Sequence, residues 1–328
     1  MITFWVAVLA ISILIYVLLD GFDLGIGIIF GFTPDEDRRH ALLEAIEPLW
    51  DGNETWLVVT GVVLWGAFPI VYATLLSAFY LPLLVMLAGL ILRGVAFEFR
   101  NKAERMRRVW DGGFAIGSFV AAFVQGAAVG ALVEGLPMSK GLYTGGDFGW
   151  ASPFALLCGL GLCVGYALLG ASWLAYKCDG DLKSTAYSLI HFLALGLLFF
   201  LIVVFTFALN KNLGIMERWL TRPYLFVFPA IGVVAAAVLA ASVRRRWDLA
   251  PFTMVAVIFV SAFCTLALSF WPYMVPFSIT IDEAAAPRSS LDFMFWGAGL
   301  FVFPLMLLYT AFSYTVFRGK NRSSTDRY

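Results

Sequence analysis

Apolar runs long enough to cross a bilayer recur from one end of the 328-residue chain to the other. They cover roughly 4–31, 55–75, 78–98, 112–134, 152–175, 188–209, 223–243, 251–271 and 291–317. A helix of about 20 apolar residues spans the ~30 Å hydrocarbon layer. Inside that layer the backbone must satisfy its own hydrogen bonds, which leaves helices as the solution for runs of this length. The sequence therefore predicts an all-α polytopic membrane protein with nine transmembrane helices. Composition agrees: 61% of residues are hydrophobic and 13% charged, against about 45–50% and about 25% in soluble domains. The N-terminus lacks a basic n-region and an A-x-A cleavage site, so the first run is expected to persist as a helix.

The connections at 135–151 and 272–290 are too short to fold alone, so 1–328 reads as a single transmembrane domain. Trp50-Asp51-Gly52-Asn53 is echoed by Trp110-Asp111-Gly112-Gly113, each just before a run. That echo suggests pseudo-repeat halves at 1–134 and 152–271, two four-helix bundles with a ninth helix at 291–317. With the N-terminus outside, the inside connections hold sixteen Lys and Arg and the outside ones five. The bias predicts an N-out, C-in topology. The outside five are Lys140, Lys211, Arg218, Arg222 and Arg288; the inside set runs from Arg38 to Arg322 and Arg327. Basic residues sit at run ends and form no patch for nucleic acid.

Asp20 and Asp23 lie three residues apart in the first run, on one helix face. Gly21 and Gly25 form a G-x-x-x-G that admits a close neighbour. An ionised aspartate at this depth costs ~2.5–3.5 kcal/mol on insertion scales, so each must be protonated, paired or hydrated. Arg93, in the third run beside Gly94, is the available partner for Asp20 or Asp23, with Glu98 a poorer one. A structural ion pair and a proton or cation site are both consistent with this pattern.

Between the first two runs lies Pro48-Leu49-Trp50-Asp51-Gly52-Asn53-Glu54-Thr55-Trp56. Glu44, Glu47, Asp51 and Glu54 fall at helical spacing and would make one acidic stripe. Pro48 suits the first position of a helix, and Asn53 or Asp51 suits its cap. Trp50 and Trp56 suit interfacial anchors. Two readings stand side by side: a capped helix start with a solvated acidic face, and a proton-collecting mouth.

Catalytic signatures are scarce. The two histidines are His40, in a charged loop, and His191, on a separate run. Cys158, Cys163, Cys178 and Cys264 form no C-x-x-C and read as buried thiols. Phosphate-loop, dinucleotide, zinc-protease and nucleophile-elbow motifs are absent. Asp20, Asp23 and Arg93 would also serve as ligands of a stand-alone secondary transporter, or as pure scaffold.

Four segments in order resemble subunit II of the cytochrome bd-type quinol oxidases, including the cyanide-insensitive branch. They are Asp20 to Gly25, Trp50 to Trp56, Ala67-Phe68-Pro69-Ile70-Val71-Tyr72-Ala73, and Arg93-Gly94-Val95-Ala96-Phe97-Glu98-Phe99-Arg100. The resemblance implies a bacterial cytoplasmic membrane and a heterodimer with a haem-bearing subunit I, often joined by a small single-span subunit. Subunit I would carry haems b and d, or b only, oxidise quinol and reduce dioxygen to water. This chain would bind no haem and have no catalytic centre of its own, and the resemblance leaves room for a structural quinone or lipid. The family's proton-entry aspartate falls on Asp51, with Glu54 one turn on, and the tryptophan near its proposed oxygen route falls on Trp56.

Overall fold

The computed structural model describes residues 1–100, 102–103, 105–139, 141–210 and 219–320. Lys140, Lys211, Arg218, Arg322 and Arg327 of the charge count lie outside them.

Helix α1 (Ile2–Gly31) is apolar all round and forms the axis of the molecule. It packs on α3 (Trp50–Ala67), α6 (Arg107–Glu134) and α7 (Pro153–Lys177). Its crossing with α7 is tight: a Cβ on Gly25 would lie 1.8 Å from the Tyr166 carbonyl oxygen, and one on Gly170 would lie 2.7 Å from the Ile26 nitrogen. Only hydrogen fits at such a contact. Helix α6 also packs on α5 (Tyr80–Arg100), and α7 on α8 (Gly180–Asn210). Helices α9 (Val227–Arg245) and α10 (Ala250–Phe270) pair with each other, and α10 returns to α7.

Two run boundaries need correcting. The sixth begins at Gly180, eight residues earlier than the hydropathy suggests. The second, 55–75, is not one straight span. Its helix begins at Trp50, runs about 27 Å at 1.5 Å per residue, and stops at Ala67. A proline disfavours helical backbone in the residue before it; Phe68, before Pro69, sits at φ −136° and ψ 60°. Helix α4 (Pro69–Ala78) leaves at 120° to α3. The freed end of α3 is covered from elsewhere, as the Ala286 amide donates to the Ala67 carbonyl at 2.9 Å.

Short elements trim the two ends. Helix α2 (Glu36–Glu44) is capped by the Asp35 carboxylate, which accepts from the Arg38 amide. One small hairpin pairs β1 (Met138–Ser139) with β2 (Leu142–Tyr143), and another pairs β3 (Tyr273–Val275) with β4 (Ile279–Thr280). Thr280 and Glu283 close a capping box on α11 (Ile281–Ala284). The last span comprises α12 (Arg288–Met294), a π-helical segment Phe295–Val302 and α13 (Phe303–Val316). Pro304 lacks an amide hydrogen and crowds the preceding turn, which accounts for the widening just ahead of it. Among the described residues, eight helices are long and apolar enough to cross a membrane, or nine with the bent pair taken as one span.

One end of the bundle gathers the basic connections. There Lys320 bonds Asp179 and Asp248, Lys183 bonds Asp248, and Arg38 bonds Asp181.

Candidate functional site

Arg93 of α5 is 1% exposed and Asp20 of α1 is fully buried. Its Nη1 donates to Asp20 Oδ1 at 3.0 Å. Asp23, on the next turn of α1, takes a different partner: the Asn53 amide donates to its Oδ2 at 2.7 Å. The Tyr314 hydroxyl donates to Asn53 Oδ1 at 3.0 Å, bringing the last span into the cluster. Asn53 is therefore no helix cap. The cap position of α3 is Leu49, and Asn53 lies inside the first turns, buried.

Glu54 is the bridge to solvent. Its side chain is 28% exposed and its Oε2 lies 3.8 Å from Arg93 Nη1. Asp51, one turn earlier on α3, is exposed. Pro48 stands in the turn before α3 rather than at its first position. Glu44 and Glu47 are exposed, but α2 ends at Glu44 and 45–49 is a turn, so no continuous acidic stripe forms. That turn is pinned by Trp173 of α7, whose indole donates to the Ala45 carbonyl at 3.0 Å. Glu98 is exposed and makes no ion pair with Arg93.

The two tryptophans part company. Trp50 packs on Phe97, with ring centroids 5.2 Å apart. Trp56 is fully buried instead of anchoring an interface. Its indole donates to the Thr310 hydroxyl at 3.1 Å, and its ring meets Phe303 edge-on.

On the other side of Asp20, the Tyr166 hydroxyl donates to Gln125 Oε1 at 2.8 Å, and Gln125 Nε2 donates to the Tyr16 hydroxyl at 2.8 Å. Neither tyrosine was singled out by hydropathy. The available signals were Gln125, the single amide in its run, and Tyr16, one turn before Asp20.

A second network, unforeseen from the sequence and running from buried Arg100 and Asp111 to exposed Glu36 and Arg107, lies at the basic end. Asp111 of α6 accepts from Arg100 Nε at 2.5 Å and from Arg39 Nη1 at 2.9 Å. Arg100, 1% exposed, also donates to Glu36 at 2.7 Å, and Arg107 shares that carboxylate oxygen at 2.8 Å. The Arg39 and Arg100 guanidiniums both face the Phe30 ring, at 5.2 and 5.3 Å. Outside the spans, hydrogen bonds from Lys183 and Lys320 hold the Asp248 carboxyl below its ordinary range. Burial pushes the Cys178 thiol up to about 12, so it stays protonated.

Among the described residues, no three His, Cys, Asp or Glu side chains converge on a metal position. Both histidines are exposed and lie on separate elements; His40 pairs with Glu44 at 3.3 Å. They do not fit the paired axial ligation of a haem.

The fold and this cluster define a multi-pass helical membrane protein that keeps carboxylates, a guanidinium and an amide inside its first bundle. The sequence model for cytochrome bd terminal oxidase subunit II matches residues 1–317. Cytochrome bd-I ubiquinol oxidase subunit 2 of Escherichia coli (strain K12) is 31% identical, over 94% of this chain and 92% of that protein. Cytochrome bd ubiquinol oxidase subunit 2 of Bacillus subtilis (strain 168) is 28% identical, over 96% and 95%. The bd oxidase structure from Geobacillus thermodenitrificans shares the fold, with a TM-score of 0.78 over 96% of both chains at 18% identity. The chain belongs to the subunit II family of cytochrome bd terminal oxidases and is a membrane subunit of an oxidoreductase complex.

Proposed function

We propose that this chain is the non-haem subunit of a bd-type terminal oxidase in a bacterial cytoplasmic membrane. It binds a haem-bearing subunit I, which oxidises quinol and reduces dioxygen to water, and it supplies a proton entry path. The basic end faces the cytoplasm, so protons and quinol electrons reach the haems from opposite sides and turnover separates charge. The single observation carrying the entry path is a gradient of burial along two turns: Asp51 exposed, Glu54 28% exposed, Asp20 and Asp23 fully buried beside Arg93. A carboxylate series of this kind brings exchangeable protons inward while Arg93 limits the charge each step buries.

The Trp56–Phe303 contact supports a second element of this reading. A lateral route for a small gas such as oxygen would run along this apolar contact between α3 and the last span. The exposed, separate positions of His40 and His191 support a reading in which the haems belong to the partner. The 1–134 and 152–271 halves then serve as two bundles joined where α7 packs on α6 and α1.

The entry path is tested in the assembled complex. Asp51→Asn is expected to lower oxidase turnover while haem content and assembly stay at the parental level. Normal turnover removes Asp51 from the path, and loss of assembly makes it a scaffold residue.

A further inference from the structure

Lys177, the last residue of α7, is 3% exposed, yet among the described residues no carboxylate pairs with it. Asp179, the nearest acid in sequence, is held by Lys320 at 3.0 Å. The Lys177 ammonium goes to backbone instead. It donates to the Phe317 carbonyl and, at 2.8 Å, to the Gly319 carbonyl. The Tyr176 hydroxyl donates to the carbonyl between them, that of Arg318, at 3.1 Å. Two neighbouring side chains of α7 thus take three successive carbonyls at the end of the last span, where Phe317 is the cap residue of α13. Carbonyls at a helix end have no partner within their own helix, and a cation there also meets the negative end of the helix dipole.

Packing within this chain does little to hold that end, since no residue of α13 is buried. Helix α13 meets α3 through the Trp56–Thr310 and Asn53–Tyr314 hydrogen bonds. Tyr314 lies one turn before Phe317, so a grip on the Phe317 carbonyl fixes where the Tyr314 hydroxyl stands. The same turn of α7 also holds the other half of that contact. Trp173, whose ring lies 5.3 Å from the Lys177 ammonium, meets the Tyr314 ring at 6.0 Å. Its indole bonds the Ala45 carbonyl in the turn that leads into α3. Asn53 of α3 accepts from Tyr314 on its oxygen and turns its amide nitrogen to Asp23.

We propose that Lys177 is a positioning residue for the proton path: with Tyr176 it clamps the end of the last span, which sets Tyr314 on Asn53 and Asn53 on Asp23. The assignment rests on the proton-entry reading of that cluster. Lys177 touches neither Asn53 nor Asp23 and acts through the register of α13 against α3. Apolar contact is non-directional and would let a surface helix slide or turn. An ammonium with three donors, beside a hydroxyl, admits one register. A buried cation is costly to keep unless it is bonded, and here its bonds go to the one span that packing leaves loose.

The test uses the complex purified with its haem-bearing partner, carrying Lys177→Met, which keeps the stem and removes the donors. Hydrogen exchange read by mass spectrometry reports the clamp without turnover. Amides in 313–319 are expected to exchange about tenfold faster, the change that follows from losing one charge-assisted bond. Turnover at saturating quinol is expected to fall about tenfold, with KM for quinol and haem content at the parental level. Tyr314→Phe should reach the same rate, and the double variant Lys177→Met with Tyr314→Phe should be no slower than Tyr314→Phe alone. Losses that multiply in the double variant put the two residues in separate roles and overturn the proposal. So does parental turnover in Lys177→Met when Tyr314→Phe is slow, and unchanged exchange removes the clamp itself. Lys320→Ala removes an exposed tie of the same tail and should leave both readouts at the parental level. An effect equal to that of Lys177→Met would assign the hold to surface charge and overturn the clamp. If Lys177→Met fails to assemble, Tyr176→Phe decides by the same readouts, with a smaller change in exchange. Should exchange accelerate in Lys177→Met while Tyr314→Phe turns over normally, the entry path fails at this branch and the clamp stands.

Discussion

The two charge networks are built from the same residue types and differ in how completely their carboxylates are engaged. At the basic end, Arg39, Arg100 and Arg107 meet Asp111 and Glu36, and both Asp111 oxygens are engaged. In the bundle interior Arg93 pairs with Asp20 and lies 3.8 Å from Glu54, while Asp23 accepts from the Asn53 amide. There Asp20 Oδ2, Asp23 Oδ1, Arg93 Nε and Arg93 Nη2 are buried without partners. The basic-end network cross-links α2, α5 and α6; Arg100 Nη1 and Arg107 Nε are buried without partners there, but both Asp111 carboxylate oxygens are engaged. The interior network, with more carboxylates than cations, has protonation states to spare. Buried charge of either kind is weak evidence for stability, because desolvation offsets much of the attraction. What separates scaffold from pathway is which atoms are unengaged: guanidinium nitrogens at the basic end, carboxylate oxygens as well in the interior.

Three perturbations press on that contrast. Asp111→Asn should have the largest effect, since it weakens the anchors of two arginines at once. Breaking a buried pair from one side costs about 3–5 kcal/mol, so loss of assembled complex and of thermal stability is expected, measured by haem recovered with the purified heterodimer. Full assembly with selective loss of turnover would make the basic-end network functional and erase the distinction. Next comes Arg93→Leu, which should damage assembly more than the double change Arg93→Leu with Asp20→Leu, because the single change strands a carboxylate. Equal yields from single and double variants would show that the pair is not energetically coupled. The smallest effect belongs to the surface bridges Lys320–Asp248 and Lys183–Asp248, at 2.9 and 2.6 Å. Exposed pairs contribute about 0–1 kcal/mol. Asp248 is held below its ordinary range, so its contribution is present above the unfolded-state value near 3.9 and fades as pH falls through the lower folded value. Lys320→Ala should leave the thermal midpoint at pH 7 nearly unchanged and flatten this acid dependence. A large drop at neutral pH would mean that the C-terminal end of the last span is held chiefly by these ions.

The charged and apolar residues differ in how far the sequence alone could place them. Run length and apolarity were enough for the helices, because lipid leaves the backbone few alternatives. Spacing put Asp20 and Asp23 on one face, and scarcity made Arg93 the candidate partner. The choice between the two aspartates was beyond spacing, as was the rejection of Glu98, because i,i+3 neighbours point within reach of the same space. Asn53 reads locally as a cap, and only its approach to Asp23 and Tyr314, the latter 261 residues away in sequence, shows otherwise. Trp56 reads as an interfacial anchor until α13 covers it.

By itself the sequence determined that the chain lives in a membrane as a helical bundle, where charge is rare enough to mark its site, and which family it resembles. The first two follow from local rules, namely helix length, period and the cost of burying charge, and the resemblance rests on four motif segments in order. The tertiary structure decided the 120° turn after Phe68, the split of Asp20 and Asp23 between Arg93 and Asn53, and the network around Asp111. It also decided the contacts of Gln125 with Tyr16 and Tyr166. Each of these depends on which helices touch, and helix contact is set by glycine-lined crossings such as Gly25 on Tyr166, between residues far apart in the chain.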